Sequence, residues 1–161
     1  MASAATSGKT VYTKPSDTEL VATRVFDAPS HMVFDAHTKP EHLKKWMIGP
    51  EGWTMAKCEI DLRPGGKWRV VWQDSGEQQF EVTGQYREIN RPQRFVQTER
   101  SAADFPETVH IYEFIEENGK TTMKWTVQFP SKEIRDNEIA TGMTTGMEAS
   151  YDNLDTILQE S

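Results

Sequence analysis

The chain predicts an α+β fold: a seven-stranded curved antiparallel sheet, two short helices after the first strand, and one long C-terminal helix across the concave face. Three observations carry this. From Trp53 to Phe129 apolar residues recur mostly at every second position, as in half-buried strands. Arg63-Pro64-Gly65-Gly66, Asp74-Ser75-Gly76, Asn90-Arg91-Pro92 and Asn118-Gly119 separate these segments, and such tight turns join antiparallel neighbours. From Ser131 to Gln159 the period becomes that of a helix.

Taken in order, residues 1–18 are small and polar and read as a tail outside the core, leaving one domain over 19–161. Leu20 to Asp27 is strand-like. Ala28-Pro29-Ser30 opens a short helix through about His37, with Ser30 as its N-cap. Thr38-Lys39-Pro40-Glu41 has Thr at the cap position, Glu three residues on and Pro in the first turn, so it opens a second short helix. Leu43, Trp46 and Met47 give that helix a buried edge, and Gly49-Pro50 ends it.

Ala56, Cys58, Ile60 and Leu62 share a face, as do Trp68, Val70 and Trp72. Phe80, Val82, Gly84 and Tyr86 share another until Ile89 breaks the phase, which predicts a bulge near Arg87. Phe95 to Arg100 is a short strand. His110, Tyr112 and Phe114 alternate with Val109, Ile111 and Ile115. Met123, Trp125, Val127 and Phe129 alternate with polar residues until Pro130 stops the strand and Ser131 caps the helix.

In the last helix Ala140, Met143, Met147, Tyr151, Leu154 and Leu158 form an apolar stripe. Thr141, Thr145, Glu148, Asp152, Asp155 and Gln159 form the opposite face. Gly142 and Gly146 interrupt it, each at about 1 kcal/mol against Ala. The polar face keeps its phase across both, so one continuous helix is expected rather than a break at Gly142. The glycines would then allow close approach to the sheet or leave space for a bound molecule.

A chain of 161 residues is long enough for one domain with a full core. A net charge of −7 with no basic stripe argues against nucleic acid. Cys58 is the only cysteine, so no internal disulfide forms. No apolar run reaches the length of a membrane span and no secretory signal opens the chain, so a cytoplasmic location is expected.

Four stretches carry a family resemblance. They are Phe26-Asp27-Ala28-Pro29; Thr38 through Trp46; Asp61-Leu62-Arg63-Pro64-Gly65-Gly66-Lys67-Trp68; and Gly84 through Pro92. Together they resemble the domain related to the C-terminal part of the Hsp90 ATPase activator Aha1, within the START-like (Bet v 1-like, SRPBCC) superfamily. The resemblance covers roughly Leu20 to Leu158. It implies the helix-grip fold and binding of hydrophobic small molecules, with cyclases and dehydratases in some branches. Met47 and Met147 stand where the family commonly carries Trp.

A curved sheet gripping a helix leaves a wedge-shaped interior, where apolar cavities form. Trp46, Trp68, Trp72, Tyr86, Tyr112, Trp125, Met143, Met147 and Tyr151 are expected to line it, with His110 as polar anchor or candidate general acid/base. Arg24, Glu99 and Arg100 are weaker candidates. No catalytic motif is present. His31, His37 and His42 match no metal-ligand spacing and read as a solvated helix face. No metal and no cofactor are expected. The expected partner is a small hydrophobic or aromatic molecule, with no nucleic acid and no membrane. A homodimer, a cyclase- or dehydratase-like enzyme and a chaperone-interaction module are the alternatives.

Overall fold

The computed structural model describes residues 9–47, 52–101 and 106–160. The elements run β1 (Thr10–Thr13), β2 (Glu19–Phe26), α1 (Ser30–Thr38), α2 (Pro40–Trp46), β3 (Trp53–Ile60), β4 (Lys67–Asp74), β5 (Gln79–Asn90), β6 (Arg94–Glu99), β7 (Thr108–Glu117), β8 (Lys120–Gln128), α3 (Lys132–Ala140) and α4 (Met143–Gln159). The strands form one antiparallel sheet in the order β1-β2-β8-β7-β6-β5-β4-β3. The four expected turns each join antiparallel neighbours.

The sheet has eight strands rather than seven. The extra one, β1, comes from the expected tail and pairs with β2 from Thr10↔Arg24 to Thr13↔Val21. Two apolar residues, Val11 and Tyr12, are too few to show a period. Tertiary bonds add the anchorage: the Tyr12 hydroxyl donates to Thr144 O at 3.2 Å and the Thr10 N–H to Glu148 Oε1 at 3.3 Å.

One face of the sheet carries the core. Ala22 pairs with Trp125, Trp125 with Tyr112, and Tyr112 with Phe95, so these side chains lie side by side across four strands. The bulge falls at Arg87, as the phase break required. A second, at Ala56, shifts the register between Met55 and Lys57. It corrects the phase read for β3: Met55 is buried, Ala56 is exposed, and Leu62 is 36% exposed. A one-residue insertion flips every side chain on one side of it.

The helix starts differ in detail from expectation. Ser30 is the first residue of α1, with Pro29 at the N-cap, and its N–H and hydroxyl bond Glu116 Oε1 on β7 at 2.7 and 3.2 Å. Thr38 does not cap α2; its hydroxyl donates to Phe34 O at 2.9 Å inside α1, and Lys39 occupies the N-cap. The expected stop at Gly49-Pro50 lies outside the described residues. Asp35 takes two bonds from Arg91 at 3.0 and 2.9 Å, tying α1 to the β5–β6 turn.

The expected single C-terminal helix is two. Gly142 sits at φ 95°, and the N–H groups of Thr141 and Gly142 close α3 onto Asn137 O and Ile139 O. That left-handed backbone ends a helix and is cheap only for glycine. The continuity of the polar face misled because every member after Thr141 belongs to α4 alone. Neither glycine thins the helix against the sheet: Gly146 is exposed, and a Cβ at either would meet nothing within 4 Å. Among the described residues no helix is long and apolar enough to cross a membrane.

Candidate functional site

Between α4 and the inner face of the sheet lies a layer of rings. Tyr151 of α4 stacks on Trp46 of α2 with centroids 5.4 Å apart, and meets Phe26 at 5.6 Å and Trp125 at 6.5 Å. Trp125 stacks on Tyr112 at 5.7 Å, and Tyr112 on Phe95 at 4.6 Å. Cross-strand register places the sheet rings; the helical step of four from Met143 to Met147 to Tyr151 brings the helix side chains onto the same layer.

Trp46, Trp68, Tyr86, Tyr112, Trp125 and Tyr151 are in the buried core, and Trp72, Met143 and Met147 are half-buried against it. The rings pack on one another directly. Burial pushes the Tyr86, Tyr112 and Tyr151 hydroxyls well above the usual phenol range, so all three are neutral.

His110 is buried beside Trp125, with ring centroids 5.8 Å apart. The Trp125 indole N–H donates to His110 Nδ1 at 3.0 Å. An indole only donates, so Nδ1 is unprotonated and the neutral ring carries its hydrogen on Nε2. Nε2 then donates to Thr108 Oγ1 at 2.9 Å, with Glu99 Oε2 at 3.4 Å. Burial lowers the His110 pKa, Glu99 opposing it. Both nitrogens are therefore committed, and the geometry makes His110 a fixed neutral donor that positions Thr108 and Glu99. Glu138 on α3 has its pKa raised by burial and by the charge of Glu99.

His37 departs from the expected solvated face. His31 is exposed and His42 half-buried, but His37 is 6% exposed, among the rings of Phe26, Trp46, Tyr112, Phe114 and Tyr151. Its Nδ1 lies 2.8 Å from Val33 O. The signal was in the sequence. His37 follows Val33 and Phe34 at helical steps of four and three, on the buried stripe of α1.

Arg24 is fully buried and paired. One guanidinium nitrogen donates to Thr10 Oγ1 and Glu148 Oε1 at 2.9 and 3.0 Å, the other to Asp152 Oδ1 and Asp155 Oδ2 at 2.9 and 2.5 Å. Phe26 and Tyr151 flank it at 5.6 and 5.7 Å. The acidic face of α4 is thus turned onto one buried cation, which fixes the helix over the sheet. Among the described residues no group of three His, Cys, Asp or Glu could hold a metal ion.

A cleft of about 530 Å³ opens elsewhere, beside Gly84. Glu59, Lys67, Arg69, Arg100 and Glu107 give it a charged rim, and of the expected site residues it touches Trp68 and the weaker candidate Arg100. It is not the apolar interior between sheet and helix.

An antiparallel sheet with a helix laid over a ring-filled concave face defines the helix-grip class, whose members share a fold rather than one activity. The profile of the family described as "Activator of Hsp90 ATPase homolog 1-like protein" matches residues 27–159, and the chain belongs to this family. A crystal structure of a Rhodobacter sphaeroides protein superposes with a TM-score of 0.89 at 27% identity, over 95% of this chain and 100% of that one. A Nitrosomonas europaea protein gives 0.81 at 24% identity over 91% and 97%, and a Mycobacterium smegmatis protein 0.81 at 21% over 93% and 97%; both bear on the fold alone. No curated protein matches the chain.

Proposed function

We propose that the protein binds a small hydrophobic or aromatic molecule between the inner face of the sheet and α4. The carrying observation is the ring layer itself, rimmed by half-buried Met143 and Met147 just after the helix break at Gly142. Rings supply apolar contact area, and thioether side chains re-pack around an entering molecule at low cost. The family's fold commonly serves this purpose. The helix break gives the rim a point at which α4 can shift against α3.

Tryptophan fluorescence tests the reading. The aromatic dye 1-anilinonaphthalene-8-sulfonate, whose rings report an apolar site, is titrated into wild type and into Met147→Trp, whose larger ring fills the rim. Saturable binding in wild type, weakened about tenfold or more by the substitution, supports the site. Equal affinity in both proteins refutes it.

A further inference from the structure

Among the described residues, two polar atoms of the ring layer have no protein partner. His37 Nε2 and Tyr151 Oη are both sealed from solvent without a hydrogen bond. Their residues are 6% and 0% exposed. Buried polar groups are as a rule satisfied, so two orphans on neighbouring rings are atoms whose bonds a guest can supply.

Their chemistry specifies the guest. His37 Nδ1 lies 2.8 Å from Val33 O, and a carbonyl only accepts, so Nδ1 carries the hydrogen. Burial holds the ring neutral, with its pKa pushed down to about 4. Nε2 is therefore a pure acceptor. Tyr151 Oη is a neutral hydroxyl that can donate. The two rings lie 5.9 Å apart, and both pack on Trp46, at 5.0 and 5.4 Å. Rings at such spacings touch, so no further ring fits between them, and what enters is a single polar group. A carboxylate has no hydrogen for Nε2, and an ammonium, although it could donate to both Nε2 and Oη, would bring an unpaired charge into a ring layer sealed from solvent. A neutral hydroxyl has a hydrogen for Nε2 and lone pairs for Oη.

We propose that His37 and Tyr151 form the polar subsite of the interior site and that its ligands are hydroxyl-bearing apolar molecules, alcohols or phenols. The O–H donates to His37 Nε2 and the oxygen accepts from Tyr151 Oη. The inference rests on the ligand-site reading above. A water molecule offers the same chemistry, so the experiment separates the two sources.

The probes are 2-naphthol and naphthalene, compared by calorimetry on the full chain and by the imidazole ¹⁵N resonances. Wild type should bind 2-naphthol about tenfold more tightly than naphthalene, the gain of well-formed buried hydrogen bonds. The His37 Nε2 resonance should move with 2-naphthol and stay with naphthalene. Tyr151→Phe and His37→Phe keep a ring in place and should each bring the two affinities within about threefold of one another. Equal affinities in wild type, or a preference that survives both substitutions, overturn the subsite and leave water as the partner of these atoms. Neither probe binding overturns the ligand site itself. If the variants do not fold, the wild-type resonance decides: an unmoved His37 Nε2 overturns the proposal.

Discussion

Arg24 shows how much one side chain can organise. Among the described residues it is the sole cation paired with Glu148, Asp152 and Asp155, and its side chain carries no exposed surface. Arg24→Met leaves three carboxylates crowded around an apolar stem, and removing one partner of a buried ion cluster costs about 3–5 kcal/mol. Its carboxylates are partly exposed, so about 3 kcal/mol is expected in urea unfolding. A loss below about 1 kcal/mol would mean that solvent already screens the cluster. His37 supplies a pH dependence. Its folded pKa of about 4 lies below the unfolded value of 6.5, so the unfolded chain takes up a proton first as pH falls. Its contribution is complete above pH 6.5 and is lost as pH falls from there toward about 4. Urea midpoints of wild type should drop across that window, and His37→Phe should flatten the drop. His110, also lowered, adds to the same limb. An unchanged slope in the variant would count against a neutral buried His37.

At the scale of the element, the two glycines of the C-terminal helices separate cleanly. Gly142 holds a left-handed backbone, so Gly142→Ala should destabilise by about 1–2 kcal/mol. Gly146 lies inside α4 in helical backbone with open space where a Cβ would go, so Gly146→Ala should stabilise by about 0.5–1 kcal/mol. Thermal melts of the two single variants should shift in opposite directions; shifts of the same sign would contradict the break. Ser131 caps α3 by accepting from the Ile134 N–H at 3.2 Å, and Ser131→Ala should cost about 1 kcal/mol. The Ser131 cap was legible beforehand because N-cap chemistry is local. The break at Gly142 was not, because glycine is compatible with both a helix interior and a left-handed turn, and packing chooses.

For the whole molecule, β1 closes one edge of the sheet and reaches the first turns of α4 through Thr10 and Tyr12. Deleting residues 1–13 should therefore speed amide hydrogen exchange in two distant places, β2 and the start of α4, while β6 and β7 keep their protection. Faster exchange confined to β2 would mean that β1 is only an edge strand. The sequence alone determined the α+β class, the antiparallel order, the turns and the Arg87 bulge, because periods of two and 3.6 and turn residues are properties of adjacent positions. It also picked out Trp46, Tyr112, Trp125 and Tyr151 of the ring layer, from their apolar periodicity, but not Phe26, His37 or Phe95. Only the tertiary structure decided that residues 10–13 form a strand, that the acidic face of α4 turns onto Arg24, that both His110 nitrogens are engaged, and that His37 Nε2 is left without a partner among the described residues. Each of these depends on which groups meet between neighbouring strands or between a helix and the sheet, and the pattern along one segment does not encode such a meeting.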